Sequence, residues 1–227
     1  MAAQLRLKLH NAAPFRREDY LASASTAEGL RLLDQWPNWR GGVLALVGPP
    51  GSGKTHLATA WAEHVGARIV AADGSNTADL LDLEGAPVLR ENADQAGMGE
   101  LLFHLINMAA RAGGSLLVTA RTPPKAWPAD LPDLRSRLNA LPVALLAEPD
   151  DAVLAALLDK FFREQNIKPP EDLTPYLVRR IERSAAAARD IVARLDQAAD
   201  ARSRPISKAL ARELLEQEAD WPEPGAD

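Results

Sequence analysis

The octapeptide GPPGSGKT, residues 48–55, lies between the apolar run VLALV (residues 43–47) and a helical pattern that begins at Lys54. A turn of the form G-x-x-x-x-G-K-[ST] joins a buried strand to a helix, and its backbone N–H groups can surround a phosphate. Lys54 would bring a positive charge to the phosphate oxygens, and the Thr55 hydroxyl would ligate Mg²⁺. The motif therefore predicts a parallel β-α unit with a nucleotide site at its turn. An ordinary glycine-rich turn would not explain Lys54 and Thr55 at the helix start.

Short apolar runs alternate with helical patterns over the first two thirds of the 227 residues. We expect strands at residues 43–47, 68–70, 87–91, 115–119 and 142–147. We expect helices at residues 25–35, 54–64 and 98–112, the first with a capping box at Ser25 and Glu28. This alternation predicts an α/β fold with a parallel sheet.

The pattern changes after Glu148, where three or four amphipathic helices follow without a strand signal and Asp150 or Asp151 can cap the first. An all-helical lid domain is therefore expected after the α/β domain, followed by an acidic, proline-rich tail. The expected boundaries are residues 1–12 for an N-terminal peptide, 13–148 for the α/β nucleotide-binding domain, 149–217 for the lid and 218–227 for a disordered tail.

Composition narrows the classes of function. The formal net charge of −5 argues against non-specific nucleic-acid binding by the whole surface, although a local basic patch remains compatible with it. The chain has no cysteine, so disulfides and thiolate metal sites are excluded. Its apolar runs are too short to cross a membrane, and its first residues lack the features of a secretory signal. We expect a cytoplasmic protein without membrane association.

The strand that should carry acidic catalytic groups reads PVLRENADQ. Glu91 can take the metal-side role beside Mg²⁺, but the next residue is Asn92, whose amide cannot accept a proton from water. Asp94 lies beyond the strand and is interpreted as a solvated loop residue. Arg90 is unusual in a strand that should be buried on both faces, which suggests snorkelling or a shifted register. The sequence therefore predicts firm nucleotide binding with slow hydrolysis.

Three further positions could contact phosphate. Thr119 ends a strand, where its hydroxyl can meet a γ-phosphate, or it is a plain strand-end threonine. Arg135 and Arg137 lie on a short helix in LPDLRSRL, and Arg189 lies on an alanine-rich helix that could fold back over the phosphates. Each arginine alone would more often be a surface residue, but their order along the chain favours a shared role.

This order of motifs resembles the AAA+ ATPase superfamily, within it the DnaA branch, and more closely the Hda/HdaA group of short DnaA paralogues. The resemblance runs from about residue 4 to residue 215. It implies that Arg137 is an arginine finger acting in trans and that Arg189 takes the sensor-2 role. The pattern that carries the second assignment consists of Arg189, Ile191, Leu195 and Asp196.

The peptide QLRLKL at residues 4–9 also fits this group, whose members begin with a peptide that binds the β sliding clamp. The clamp-binding residues would be Gln4, Leu5, Leu7 and Leu9. An extended peptide can bury alternate leucines in a pocket while a glutamine makes a polar anchor. The alternative is that these residues form a first strand of the chain's own domain.

The resemblance implies a negative regulator of DNA replication initiation that binds the clamp and stimulates hydrolysis of DnaA-bound ATP. The implied partners are the DNA polymerase III β sliding clamp and DnaA, with DNA reached only through the clamp, no membrane, and a possible homo-oligomer. The implied cofactors are ADP or ATP with Mg²⁺, held by Thr55 and Glu91. The expected nucleotide-binding residues are Gly48, Pro49, Pro50, Gly51, Ser52, Gly53, Lys54, Thr55, His56, Glu91, Thr119 and Arg189.

Two rival functions stay open. The first is a non-catalytic, nucleotide-gated adaptor that bridges the clamp or the initiator to another protein. The second is a DnaC-like helicase loader, which would need a helicase-binding domain before residue 25. A stand-alone ATPase is disfavoured by Asn92, and direct origin recognition is not expected because only a short tail follows the lid.

Overall fold

The computed structural model describes residues 16–24, 26–70, 83–111 and 113–219. Five parallel strands form one sheet in the order β2-β3-β4-β1-β5. The strands are β1 (Val43–Val47), β2 (Arg68–Val70), β3 (Pro87–Arg90), β4 (Ser115–Ala120) and β5 (Val143–Leu145). The order shows that β4 lies between β3 and β1, so β4 and β1 are neighbours in space but not consecutive in sequence.

One set of helices covers both faces of the sheet, and a second set, which follows in sequence, forms a separate bundle. The helices that accompany the sheet are α1 (Ala27–Leu33), α2 (Lys54–Val65), α3 (Gly99–Ala109) and α4 (Pro132–Ala140). The C-terminal bundle consists of α5 (Asp151–Glu164), α6 (Leu173–Val178), α7 (Ala185–Arg202) and α8 (Lys208–Ala219). We refer to α5–α8 as the C-terminal bundle.

Strand β1 shows why the sheet is buried on both sides. Successive side chains of a strand point to opposite faces. Val43, Ala45 and Val47 pack in a cluster with residues of α3 and α4, whereas Leu44 and Leu46 pack with residues of α1 and α2. The C-terminal bundle has a third cluster of its own, which includes Leu158 and Leu195.

The predicted α/β fold with a parallel sheet is confirmed. Strands β1 and β2 have the expected limits, whereas β5 is shorter than predicted at both ends and β4 ends one residue later. Helices α1 and α3 are also shorter than predicted, and the segment after Glu148 contains four helices. Asp150 is the cap of α5, because its side chain accepts a hydrogen bond of 2.9 Å from the Val153 N–H. Ser25, half of the proposed capping box, lies outside the described residues.

Arg90 on β3 is buried, and neither snorkelling nor a shifted register explains it. Its side chain is 1% exposed, and β3 keeps a regular parallel register with β4, in which Arg90 is opposite Val118. The guanidinium donates to the Val70 carbonyl at 3.3 Å and contacts the Met98 sulfur at 3.0 Å. Arg90 therefore ties the end of β3 to β2 and to the segment before α3.

No helix within the described ranges is long and apolar enough to cross a membrane.

Candidate nucleotide-binding site

The phosphate loop occupies the turn from β1 to α2. The Gly48 N–H donates to the carbonyl of Ala120 at the end of β4, at 3.2 Å, so the loop leaves the sheet beside the last residue of that strand. Lys54 is the first residue of α2, so the open N–H groups of this helix face the loop. The predicted strand-turn-helix context of the motif is confirmed.

Gly51 and Gly53 allow other parts of the chain to approach the loop closely. Both have positive φ values, +76° and +87°. A Cβ atom at Gly51 would lie 2.4 Å from the Cβ of Ser184, the residue that caps α7. A Cβ atom at Gly53 would lie 2.6 Å from the ring of Tyr20. The loop is therefore enclosed by the C-terminal bundle on one side and by the segment before α1 on the other.

Lys54 points back into the loop. Its ammonium donates hydrogen bonds of 2.7 Å to the carbonyls of Gly48 and Pro49. Burial lowers the pKa of Lys54 below its ordinary value, the charge of Arg121 lowers it further, and Asp94 and Glu91 act in the opposite direction. The loop thus holds a cation in a partly desolvated place, which is the electrostatic condition for binding an anion.

Two hydroxyl groups of the motif differ in exposure. The Ser52 side chain is 3% exposed, and its Oγ has no hydrogen-bond partner among the described residues. A buried hydroxyl without a partner costs stability, so Ser52 is poised to bond an added group. Thr55 is exposed at the start of α2, where its hydroxyl is available to an oxygen-preferring cation such as Mg²⁺. Pro50 is also exposed, at the tip of the loop.

We refer to residues 16–24 as the N-terminal arm. The Tyr20 hydroxyl donates to the Ser52 carbonyl at 3.2 Å, and burial raises the pKa of the Tyr20 phenol. His56 Nε2 lies 2.8 Å from the carbonyl oxygen of Arg16, so this predicted nucleotide-binding residue contacts the arm. The arm also reaches the C-terminal bundle, because Lys160 on α5 donates to Asp19 at 2.6 Å.

A small cavity of about 70 Å³ lies where these parts meet. Its wall combines the arm, the phosphate loop, the segment between β5 and α5, and the bundle. Representative lining residues are Tyr20, Gly53, His56, Pro149, Leu157 and Ala185. Tyr20 was not predicted from the sequence, because its distance from the motif along the chain leaves no local signal for it.

The acidic side of the site is formed by the ends of β3 and β4. The Asn92 N–H donates to the Thr119 hydroxyl at 3.1 Å, with Asn92 at a φ of +53° and Thr119 only 2% exposed. Glu91 is half-buried between β3 and this turn. Its metal-side role stays a prediction, as does a phosphate contact by Thr119.

Asp94 lies in a turn beyond β3 and is partly exposed, as predicted, but its carboxylate also has partners in the chain. Its carboxylate accepts hydrogen bonds from the N–H groups of Arg121 and Thr122, at 2.9 and 3.2 Å, and from the Thr122 hydroxyl at 3.3 Å. These bonds satisfy backbone groups that follow β4, and so they fix the turn beside the phosphate loop.

The two arginines of α4 have different environments. Arg135 is held by its own chain, since its guanidinium donates to the carbonyls of Lys125 and Trp127 at 2.9 and 2.7 Å. Arg137 is exposed, and its guanidinium carbon lies 5.5 Å from the centre of the Phe103 ring. Of the two side chains, that of Arg137 is presented on the surface.

Arg189 lies on the second turn of α7, beyond the point where Ser184 approaches the phosphate loop. Its guanidinium carbon stacks 4.4 Å from the centre of the Phe161 ring of α5. The structure therefore brings Arg189 against the bundle's own helix, and contact with a nucleotide stays a prediction. The predicted clamp-binding residues lie outside the described part of the chain: Gln4, Leu5, Leu7 and Leu9.

Comparison with known proteins agrees with this architecture. The profile of the ATPase family associated with various cellular activities (AAA) matches residues 44–112. The chromosomal replication initiator protein DnaA of Thermomicrobium roseum is 29% identical over 140 residues, which are 61% of this chain and 29% of the relative. The chain thus matches less than a third of that relative's length.

Two solved structures share the fold. Domain III of the replication initiation protein DnaA from Thermotoga maritima superposes with a TM-score of 0.73 at 16% identity, covering 92% of this chain and 98% of that domain. AMPPCP-bound DnaA from Aquifex aeolicus gives a TM-score of 0.65 at 12% identity, covering 81% of this chain and 65% of that one. The chain therefore has the AAA+ fold, in the form seen in DnaA domain III.

Proposed function

We propose that this chain, an AAA+ protein related to the initiator DnaA, binds ADP or ATP and regulates replication initiation by promoting hydrolysis of ATP held by DnaA. The observation that carries the nucleotide proposal is the phosphate loop itself. Gly51 and Gly53 shape it, Lys54 places a cation within it, and the Ser52 hydroxyl is buried there without a described partner. Such a cradle fits the phosphates of a nucleotide.

The surroundings of the loop offer a place for the rest of a nucleotide. The small cavity beside Gly53 is lined by the N-terminal arm and by the bundle, and these two parts would have to move apart to admit a base attached to loop-bound phosphates. Thr55 and Glu91 would supply oxygen ligands to Mg²⁺. In the solved relative from Aquifex aeolicus, AMPPCP is bound to a protein of the same fold.

The acidic side supports slow hydrolysis of this chain's own nucleotide. The position after Glu91 is occupied by Asn92, whose amide side chain is not a base. Asp94 is the other nearby carboxylate, and its hydrogen bonds to residues 121 and 122 engage it in a turn. Neither side chain is therefore suited to activate water, so nucleotide would act mainly as a structural ligand.

Arg137 supports an action in trans. It is exposed on α4 while its neighbour Arg135 is bonded to two carbonyls of its own chain. An arginine supplied by one protein can neutralise charge on the γ-phosphate bound to another, an effect worth about 10³ to 10⁵ in rate. In this proposal Arg137 reaches the ATP of DnaA, and Arg189 links the chain's own nucleotide to the bundle.

The last part of the proposal is that this chain is tethered to the β sliding clamp. Residues Gln4, Leu5, Leu7 and Leu9 would bind the β sliding clamp, which encircles DNA and so would bring this chain to DnaA bound nearby. Tethering raises the effective concentration of the partner, so a weak contact between the two AAA+ proteins would suffice.

The testing experiment measures phosphate release from ATP-loaded DnaA mixed with this protein, the β clamp and duplex DNA. We expect the full chain to accelerate release and the Arg137→Ala variant to leave the rate near its unstimulated value. Arg163→Ala, which removes an exposed arginine of α5, is the matched control and should stimulate fully. Deletion of residues 1–9 should abolish stimulation that depends on the clamp.

Two results would contradict the proposal at different points. Full stimulation by Arg137→Ala would contradict the assignment of Arg137 as an arginine finger. Absence of stimulation by the full chain, with nucleotide and clamp bound, would refute action on DnaA-bound ATP and leave the adaptor function.

A further inference from the structure

An open groove of about 1280 Å³ lies on the C-terminal bundle between α6 and α8. The residues that line it include Tyr176 on α6, Arg179 and Arg180 just after that helix, and Lys208 and Arg212 on α8. All four basic side chains are exposed. The groove shares no lining residue with the small cavity beside the phosphate loop, so it is a separate surface. We refer to it as the basic groove.

Two of the cations in the basic groove are placed by the Tyr176 ring. The guanidinium carbon of Arg180 lies 4.0 Å from the centre of the ring, and the Lys208 ammonium lies 5.5 Å from it. Such contacts between a cation and an aromatic face are attractive, so they hold both positive charges beside the ring. Cations from two elements are therefore brought to one surface.

The carboxylates of the basic groove balance only part of its positive charge. The Lys208 ammonium lies 3.6 Å from Asp172, and the Arg212 guanidinium lies 2.7 Å from Glu216. The two arginines that follow α6 have no ion pair among the residues that the structure describes. Four basic and two acidic side chains thus line the groove, although the whole chain has a net charge of −5. The groove therefore favours an anionic partner.

The chain itself carries an anionic segment directly after α8. Residues 220–227 read DWPEPGAD, with three carboxylates, one tryptophan and no basic residue. A carboxylate fits the planar donor fork of arginine, and an indole can pack beside a tyrosine ring or against a guanidinium. The composition of this segment thus matches both the charge and the aromatic character of the basic groove.

The segment is also long enough to return to the groove. Helix α8 ends at Ala219, which lies seven residues after Arg212 and eleven residues after Lys208. At a rise of about 1.5 Å per residue, these two positions are about 10 and 16 Å back along the helix. Eight extended residues span up to about 26 Å, so residues 220–227 can pass both basic side chains of α8.

We propose that residues 220–227 dock in the basic groove and that their carboxylates pair with Arg179 and Arg180. Because the segment is tethered to α8, its effective concentration at the groove is high, and individually weak ion pairs suffice to hold it. The docked segment would neutralise the groove and keep other anionic partners away from it until it is displaced. This inference goes beyond the proposed function and does not depend on nucleotide binding.

Carbodiimide cross-linking of the full chain, followed by mass spectrometry of its peptides, tests the proposal without added nucleotide. The reagent joins a carboxylate to an amine that it contacts, and Lys208 is the amine of the basic groove. We expect cross-links from Lys208 to carboxylates of residues 220–227. A cross-link from Lys208 to Asp172, its neighbour at 3.6 Å, is the internal reference that the groove is intact.

The double variant Arg179→Ala/Arg180→Ala keeps Lys208 but removes the proposed partners of the segment. It should reduce the cross-links to residues 220–227 about fivefold, as expected for the loss of two exposed ion pairs, while the link to Asp172 persists. Sodium chloride at about 0.5 M should also reduce them, because it screens exposed charges. Arg163→Ala, which removes an exposed arginine of α5, is the control and should leave both kinds of cross-link unchanged.

Three results would overturn the proposal. One is a cross-link from Lys208 to Asp172 without any to residues 220–227. Another is an undiminished yield of the cross-links to residues 220–227 in the double variant. The third would appear in a mixture of ordinary and isotope-labelled chains. Cross-links mainly between differently labelled chains would mean that the groove takes this segment from a second copy.

Discussion

Gly51 is the residue at which the phosphate loop meets the C-terminal bundle. Its φ of +76° is costly for other residues, and a Cβ atom there would overlap the Cβ of Ser184 at 2.4 Å. Gly51→Ala should therefore force the cap of α7 away from the loop. We expect a loss of more than about 2 kcal/mol of stability, from backbone strain and overpacking together, with weakened nucleotide binding.

Gly85 provides the matched control for this substitution. Its φ of +77° is nearly the same, but nothing lies within 4 Å of a Cβ atom built on it. Gly85→Ala should cost only the backbone strain, about 1 kcal/mol, and leave nucleotide affinity unchanged. Thermal unfolding and nucleotide titration of both variants measure the difference. Equal losses in the two variants would mean that the contact with Ser184 contributes nothing.

At the scale of elements, the N-terminal arm connects the phosphate loop to the bundle, and one ion pair joins the arm to α5. The hydrogen bond from Lys160 holds the pKa of the Asp19 carboxyl below its ordinary value of 3.8, with smaller effects of Lys160, His56 and Arg16 charges. Because this pKa is lowered in the folded chain, the ionised Asp19 stabilises the fold at pH values above the ordinary pKa. This contribution to stability is lost as the pH falls through the lowered pKa.

We therefore expect Asp19→Asn to lower the Tm by about 2–4 °C at pH 7, the effect of up to about 1 kcal/mol for a partly exposed ion pair. The difference from the wild type should persist at pH 5 and shrink as the pH falls below 3.8, the ordinary pKa of the carboxyl, as measured by thermal unfolding at each pH. Glu18→Gln is the control, because Glu18 lies 3.6 Å from Arg16 with both side chains largely exposed. A difference that grows on acidification would contradict the assignment.

The elements that the sequence predicted well are those specified by neighbouring residues. Strand β1 has the predicted limits because its apolar run is bounded by a glycine turn, and the cap of α5 is set by Asp150 within one turn. The packing of the arm could not be predicted in this way. Asp19 and Lys160 are 141 positions apart, and Tyr20 is 32 positions from Ser52, so neither pair leaves a local pattern.

The candidate site, too, could be predicted only where residues close together in sequence determine its structure. The motif predicted the phosphate loop, because its backbone geometry depends on a few consecutive residues. The hydrogen bonds of Asp94 could not be predicted, because its partners at residues 121 and 122 follow a different strand. The stacking of Arg189 on Phe161 likewise depends on the crossing of two helices, which periodicity does not specify.

At the scale of the whole molecule, two hydrophobic cores meet at the proposed nucleotide site. The sheet core includes Leu117, the bundle core includes Leu195, and both are fully buried. The loop touches the bundle through Gly51 and Ser184, and the arm adds its ion pair to α5. A nucleotide in the adjoining cavity would contact the arm, the sheet domain and the bundle together, so its binding energy would stabilise them jointly.

Amide hydrogen exchange tests this coupling. A ligand that binds only the folded state stabilises it by about 2.7 kcal/mol at a concentration 100 times its Kd. If the nucleotide joins the two cores, amides of both Leu117 and Leu195 should gain protection of that order when ATP and Mg²⁺ are added at this excess. Lys54→Ala, which removes the loop cation, should show neither gain at the same nucleotide concentration. Increased protection of Leu117 alone would mean that the nucleotide contacts the sheet domain without engaging the bundle, and the bundle would then have no means of reporting the bound nucleotide to a partner.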